Sequence, residues 1–167
     1  MVAVPEADPI VGHLRLRHTS DGPLGMPPHV TLLFPFVPAA LVAEAEDALA
    51  PLVHEQPAFA ATFGRTARFP TLLYLDPQPA EPFSSLTEAI AAAWPEHPPY
   101  EGAHEQVIPH LTVAESEDRA LLDALAAELA PLLPLRVRVE AASVFVEDEA
   151  GRWREHSRLP FGHSGVA

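Results

Sequence analysis

The sequence predicts an α+β fold in one domain, on three observations. Two short strings, His29-Val30-Thr31-Leu32 and His110-Leu111-Thr112-Val113, alternate polar and apolar residues as half-buried strands do. Each is followed by a segment whose apolar residues recur at helical spacing, and each half then ends in further alternating runs. At 167 residues and 48% hydrophobic, the chain is long enough to bury one proper core without a second domain.

Taken in order, Ile10 to Leu16 alternates, with Leu14 and Leu16 on one face and His13 and Arg15 on the other, and is expected as a strand. A polar loop rich in Gly and Pro, Ser20 to Pro28, leads to the first His-x-Thr strand, His29 to Phe36. From Pro38, residues Leu41, Ala45, Ala48, Leu49 and Leu52 sit at helical spacing, with Pro38 suited to the first turn. Ala58 to Phe63 and Thr71 to Leu75 predict two strands separated by a turn at Gly64-Arg65. Ser85-Leu86-Thr87-Glu88 has the form of a capping box, opening a helix with the stripe Leu86, Ala89, Ile90 and Ala93. The stretch from Trp94 to Gln106 is expected as a long loop feeding the second His-x-Thr strand, Pro109 to Ala114. Ser116 then caps a helix carrying Leu121, Leu122, Leu125, Leu129 and Leu132 until Pro134 stops it. Leu135 to Glu147 alternates as one strand, and Glu149-Ala150-Gly151 turns it into a closing hairpin with Trp153 to Leu159. Each half thus runs His-x-Thr strand, helix, strand pair, which suggests an internal duplication, two lobes about a pseudo-twofold axis and a cleft between them.

The doubled string carries the chemistry. With nine His and seven Thr, a shuffled chain would hold roughly 0.4 His-x-Thr strings, and about 0.1 once both intervening positions must be apolar. A single copy reads most simply as a strand whose imidazole hydrogen-bonds a neighbour. Two copies, each directly after a proline (Pro28, Pro109), read as a site. The strand period of two places His29 with Thr31, and His110 with Thr112, on one face, while Val30, Leu32, Leu111 and Val113 point into a core. Two imidazoles facing one phosphate can divide phosphodiester cleavage, one taking a proton from water and the other giving one to the departing ribose oxygen. Two threonine hydroxyls can donate to the non-bridging oxygens. This chemistry requires no metal and no cofactor.

Composition narrows the alternatives. All ten basic residues are Arg, so ligation through a lysyl-nucleotide intermediate, a Walker-type phosphate loop and Schiff-base chemistry are excluded. The absence of Cys removes a thiolate nucleophile and cysteine-ligated zinc. A net charge of −13 argues against a long nucleic-acid footprint and for small or terminal phosphates, provided a few arginines line the cleft. With neither a membrane-length apolar run nor a signal-peptide pattern at Met1-Val2-Ala3-Val4-Pro5-Glu6, a cytoplasmic monomer without membrane contact is expected.

The contexts Pro27-Pro28-His29-Val30-Thr31-Leu32-Leu33-Phe34-Pro35-Phe36 and Val107-Ile108-Pro109-His110-Leu111-Thr112-Val113-Ala114 resemble the 2H phosphoesterase superfamily, in particular bacterial 2′-5′ RNA ligase-like proteins and RNA 2′,3′-cyclic phosphodiesterases. The resemblance covers nearly the whole chain. It implies a bilobal fold of antiparallel sheets lining a central cleft with helices outside, and both histidines in that cleft. It implies opening of 2′,3′-cyclic phosphates on RNA ends or small nucleotides, with His29 as acid and His110 as base, two roles the sequence itself does not separate. Ligation would be the reverse reaction, and the alternative is a nucleotide-binding module with the same cleft and no turnover. Arg15 and Arg17 are candidate phosphate contacts, and Tyr100, Phe34 and Phe36 candidates to stack a base, each also explicable as ordinary solvation or packing. His97, His104 and His156 match no metal-ligand spacing and are read as surface residues.

Overall fold

The computed structural model describes residues 1–102 and 107–162. Eight strands and four α-helices are found among them: β1 (Val2–Ala3), α1 (His13–His18), β2 (His29–Val30), α2 (Val42–His54), β3 (Phe59–Phe69), β4 (Leu72–Gln78), α3 (Glu81–Ala93), β5 (Leu111–Glu115), α4 (Arg119–Leu129), β6 (Leu135–Val139), β7 (Ala141–Glu147) and β8 (Trp153–Pro160). Six strands form one antiparallel sheet in the order β1-β2-β5-β4-β3-β6, and β7 pairs with β8. Reciprocal main-chain bonds between Met1 and Ser143, of 2.8 and 3.0 Å, join β7 to the β1 edge. Because β6 continues into β7 through Glu140, whose carbonyl accepts from Phe161 N–H, the sheet curls until it is nearly closed.

The two halves of the chain occupy corresponding places in this topology. The motif strands β2 and β5 pair at the centre. The β3–β4 hairpin, which follows the first motif in the chain, lies beside the second motif strand, and β7–β8, which follows the second motif, lies beyond β1 on the side of the first. Likewise α2 packs on β8 and α4 on β4, so each half contributes its helix to the other half's hairpin. Strand alternation then divides the central pair. Val30, Leu111 and Val113 are fully buried with Phe63, Leu73, Leu75, Leu122 and Leu129, each large apolar side chain contributing roughly 1.5–3 kcal/mol by burial, while the His and Thr residues between them are only half-buried.

Several boundaries differ from the sequence expectation, each for a local reason. Residues 8–18 are helical, a π-helical turn over Asp8–Gly12 running into α1, not a strand. The buried residues Ala7, Val11, Leu14 and Arg15 have helical spacing, and Leu16, expected to share a face with Leu14, is 61% exposed. Arg15 is therefore not on a solvated strand face but 1% exposed in the interior, and only Arg17 is at the surface. The expected turn at Gly64-Arg65 is a register shift within the long strand β3, a bulge of the kind glycine marks, and the chain reverses after Phe69 instead. The strand expected from Leu135 to Glu147 breaks at Glu140, where the chain passes from one sheet to the other. The first motif strand stops at Val30, short of Phe36. α3 starts at Glu81, with Pro82 in its first turn, so Ser85 lies inside the helix and caps nothing. The cap of α4 is Asp118, whose Oδ1 accepts from Ala120 N–H at 2.9 Å and Leu121 N–H at 3.3 Å, while Ser116 Oγ accepts from Asp118 N–H.

Candidate active site

The register Val30↔Leu111, continued one residue each way, sets His29 across from Thr112 and Thr31 across from His110. The four side chains line a cleft of about 820 Å³, walled also by Phe34, Tyr100, Ser143 and Trp153. Two facing imidazole–hydroxyl pairs therefore share one surface, as the strand period requires.

The prolines before the two histidines explain how the rings are held. In Pro27-Pro28-His29 and Ile108-Pro109-His110, the residue ahead of the proline is restricted to extended conformations and the proline fixes its own φ. The carbonyl two residues before each histidine is thereby brought to its ring. His29 Nδ1 lies 2.8 Å from Pro27 O, and His110 Nδ1 lies 2.7 Å from Ile108 O. A carbonyl only accepts, so Nδ1 carries the proton in both rings and Nε2 is left for substrate. His110 is further fixed by edge contacts with Phe69 and Tyr74, at ring-centre distances of 5.2 and 5.5 Å. Tyr74 stands opposite Thr112 in the β4–β5 register.

Burial lowers the pKa of both rings. For His29 the value falls to about 4, with the Arg15 charge and the Met1 amine acting in the same direction and the Pro27 carbonyl and Asp21 opposing them. For His110 burial again outweighs the opposing Ile108 bond. Both rings are accordingly neutral near pH 7 in the free protein, each with an Nε2 lone pair ready to accept a proton.

Tyr100 belongs to the cleft. Its N–H donates to Phe34 O at 2.7 Å, its phenol bonds the Thr31 side chain, and burial raises its pKa. Tyr100 and Glu101 have φ of 51° and 55°, the left-handed region that non-glycine residues enter only when their surroundings hold them there. Phe34, half exposed, meets Trp153 edge-on at 6.1 Å and forms a lip at the cleft, whereas Phe36 packs on Trp94 at 5.2 Å against the core.

The expected arginine lining is absent: among the described residues the cleft is lined by no arginine, and the charged side chains at its wall are the acidic Asp21, Glu115 and Glu147. Arg15 is buried and bonds the Thr112 carbonyl, and the exposed Arg17 is not among the residues that line the cleft. Sequence reading missed the contributions of Trp153, Asp21 and Ser143. Alternation in the closing hairpin could have flagged Trp153, but its approach to Phe34 depends on how the sheet curls. His97 is half-buried, His156 is exposed with Nε2 3.5 Å from Glu46, and His104 lies outside the described residues. No three His, Asp or Glu side chains among the described residues converge as a metal-holding group, and no described helix is long and apolar enough to cross a membrane.

Solved structures give independent views of the fold. TT0787 of Thermus thermophilus is similar with a TM-score of 0.65 at 20% identity, over 98% of this chain and 96% of that one. E. coli LigT complexed with 3′-AMP gives 0.56 at 20% identity over 95% and 93%, and LigT complexed with NADP+ gives 0.57 at 20% over 96% and 94%. A search of curated protein sequences gives no match. At these identities the likeness establishes the fold, which is that of the LigT-like 2H phosphoesterases. The family model of the 2′-5′ RNA ligase superfamily matches residues 3–151, both His-x-Thr motifs included, and the chain belongs to that superfamily.

Proposed function

We propose that the protein is a metal-independent phosphodiesterase that opens 2′,3′-cyclic phosphates on RNA ends or small nucleotides. One observation carries the reading: two imidazoles bonded through Nδ1 and two threonine hydroxyls line one cleft at the β2–β5 pair and can surround a single phosphate. Membership of a superfamily acting on phosphoester bonds supports it, as do the nucleotides in the LigT complexes.

In this reading one imidazole accepts a proton from water as the water oxygen bonds to phosphorus. The other protonates the ribose oxygen as its bond to phosphorus breaks. Thr31 and Thr112 donate to the non-bridging oxygens, where charge builds. We place the acid at His29 and the base at His110. Since both rings are neutral in the free protein, the acid acquires its proton when the phosphate anion arrives and raises the pKa of the ring beside it. The lip formed by Phe34 and Trp153 offers a planar base a face to stack on. Attack on the same cyclic phosphate by the 5′-hydroxyl of a second RNA end in place of water, with the 3′ oxygen leaving and taking up the proton, would form a 2′-5′ linkage instead of a monoester.

The test is incubation of the protein with 2′,3′-cyclic nucleotides, with and without EDTA, while the monoester product is followed. Hydrolysis at a rate unaffected by chelation is expected. Activity lost on chelation and restored by a divalent cation would overturn the mechanism. Binding without product would make the protein a nucleotide-binding module instead.

A further inference from the structure

Arg15 is among the largest fully buried side chains of the protein, and its guanidinium is built into the back of the second motif. Nη1 donates to the Thr112 carbonyl at 2.6 Å. Nη2 donates to Asp21 Oδ1 at 2.8 Å and, at the limit of hydrogen bonding, approaches Met26 O at 3.5 Å, while the buried Nε meets no acceptor among the described residues. The loop after α1 is shaped to close this arrangement. Thr19 Oγ1 lies 2.9 Å from Arg15 O and 2.8 Å from Asp21 Oδ1, and accepts from Gly22 N–H at 3.0 Å. A Cβ at Gly22 would stand 2.7 Å from Arg15 O, so only glycine lets the loop return this closely. Asp21 reaches the cleft wall on the side of His29.

A buried ion pair is a weak source of stability, because desolvation offsets most of its attraction. Its placement gives this pair another use. The carbonyl that Arg15 grips and the hydroxyl that faces the cleft belong to the same residue, so fixing the Thr112 peptide fixes the direction of its side chain. We propose that Arg15, braced by Asp21, is a positioning residue of the phosphate site, holding Thr112 from behind and setting fixed charge next to a cleft that no described arginine lines. This inference rests on the phosphoesterase reading of the cleft.

The electrostatics agree with the geometry. The charged groups acting on His29 are Arg15 from α1, Asp21 from the following loop and the Met1 amine beside β1, while His110 lies just ahead of the paired strand β5; Arg15 pushes the ring towards neutrality and Asp21 opposes it. Removing Arg15 should therefore raise the His29 midpoint and removing Asp21 lower it, a readout of the charge beside the cleft that is separate from the hold on Thr112.

The experiment compares Arg15→Met, Arg15→Lys and Asp21→Asn. In each, the His29 ring is titrated by NMR in the free protein, with its signal assigned through His29→Gln, and kcat and KM for a 2′,3′-cyclic nucleotide are measured against pH. Arg15→Met should lower kcat about 10- to 100-fold with a smaller change in KM, as expected for a misplaced transition-state donor, and should raise the His29 midpoint. Asp21→Asn should lower that midpoint. Arg15→Lys should return the midpoint towards wild type yet recover only part of kcat, since an ammonium cannot span Thr112 and Asp21 as the fork does. A folded Arg15→Met with wild-type kcat overturns the positioning of Thr112 whatever the midpoint does, and an unmoved midpoint overturns the fixed charge beside the cleft. If that variant does not fold, wild-type values in both other variants overturn the proposal. Should the wild-type protein turn over no cyclic phosphate, the functional reading fails separately. The positioning role is then decided by the His29 midpoints and by titration of the Thr112 amide with inorganic phosphate, where unchanged responses in all variants count against it.

Discussion

His29 and His110 each give Nδ1–H to the carbonyl two residues earlier, and the proline in between makes that geometry a local consequence of the sequence. The candidate face was legible from two tripeptides for this reason: strand alternation chose the face, and Pro-His set the carbonyl beside each ring. Replacing either histidine by Ala should cost about 10² to 10⁴ in turnover with circular dichroism unchanged, the range of a general acid or base. Thr31→Val or Thr112→Val should cost about 10 to 10³, as one donor to the phosphate is lost. Near wild-type turnover in either His variant would disprove the symmetric site. Burial of His29 also predicts a stability profile. Its native pKa of about 4 lies below the ordinary 6.5, so the unfolded chain takes up a proton in that window that the native state refuses. Stability contributed by neutral His29 is complete above about pH 6.5 and is lost as pH falls towards about 4. Urea midpoints measured across this range should therefore fall less steeply for His29→Gln than for wild type. The role of Arg15 could not be read in the same way, because its partners Thr112 and Asp21 come from separate parts of the chain and meet only in the folded state.

At the scale of elements, the sequence pattern succeeded where a segment was long and failed where two periods overlap. α2, α4 and the β7–β8 hairpin appear where periodicity places them. By contrast, His13-Leu14-Arg15-Leu16 alternates over four residues by coincidence within a helix whose buried set is Ala7, Val11, Leu14 and Arg15. Gly64 was read as a turn because glycine marks both turns and bulges, and only pairing with β4 distinguishes them. The misassigned cap of α4 shows a similar competition, since Ser116 and Asp118 are both good cap residues and the carboxylate takes the two free N–H groups. Asp118→Ala should accordingly destabilise the protein by about 1 kcal/mol in denaturant titration. Ser116→Ala should cost less, because among the described residues its hydroxyl meets one N–H, that of Asp118.

For the molecule as a whole, charge and site geometry make one joint prediction about substrate size. Asp plus Glu number 23 against ten Arg and no Lys, and the cleft wall adds Asp21, Glu115 and Glu147 without a described arginine. An RNA laid across this surface would meet repulsion along most of its length, whereas one terminal phosphate in the cleft meets two threonine hydroxyls and two imidazoles, one of which its own charge helps to protonate. Affinity should therefore depend little on chain length. A mononucleotide or dinucleotide carrying the cyclic phosphate should bind within about tenfold of a long RNA with the same end. Log affinity should fall with log salt at a slope equivalent to about one phosphate contact. Raising pH through the titration of the bound imidazoles should weaken binding, since proton uptake accompanies it. Competition between the two ligands across a salt series measures both quantities. A steep slope together with a strong preference for the long RNA would place an extended cationic track on this acidic protein, and the single-phosphate reading of the cleft would fall with it.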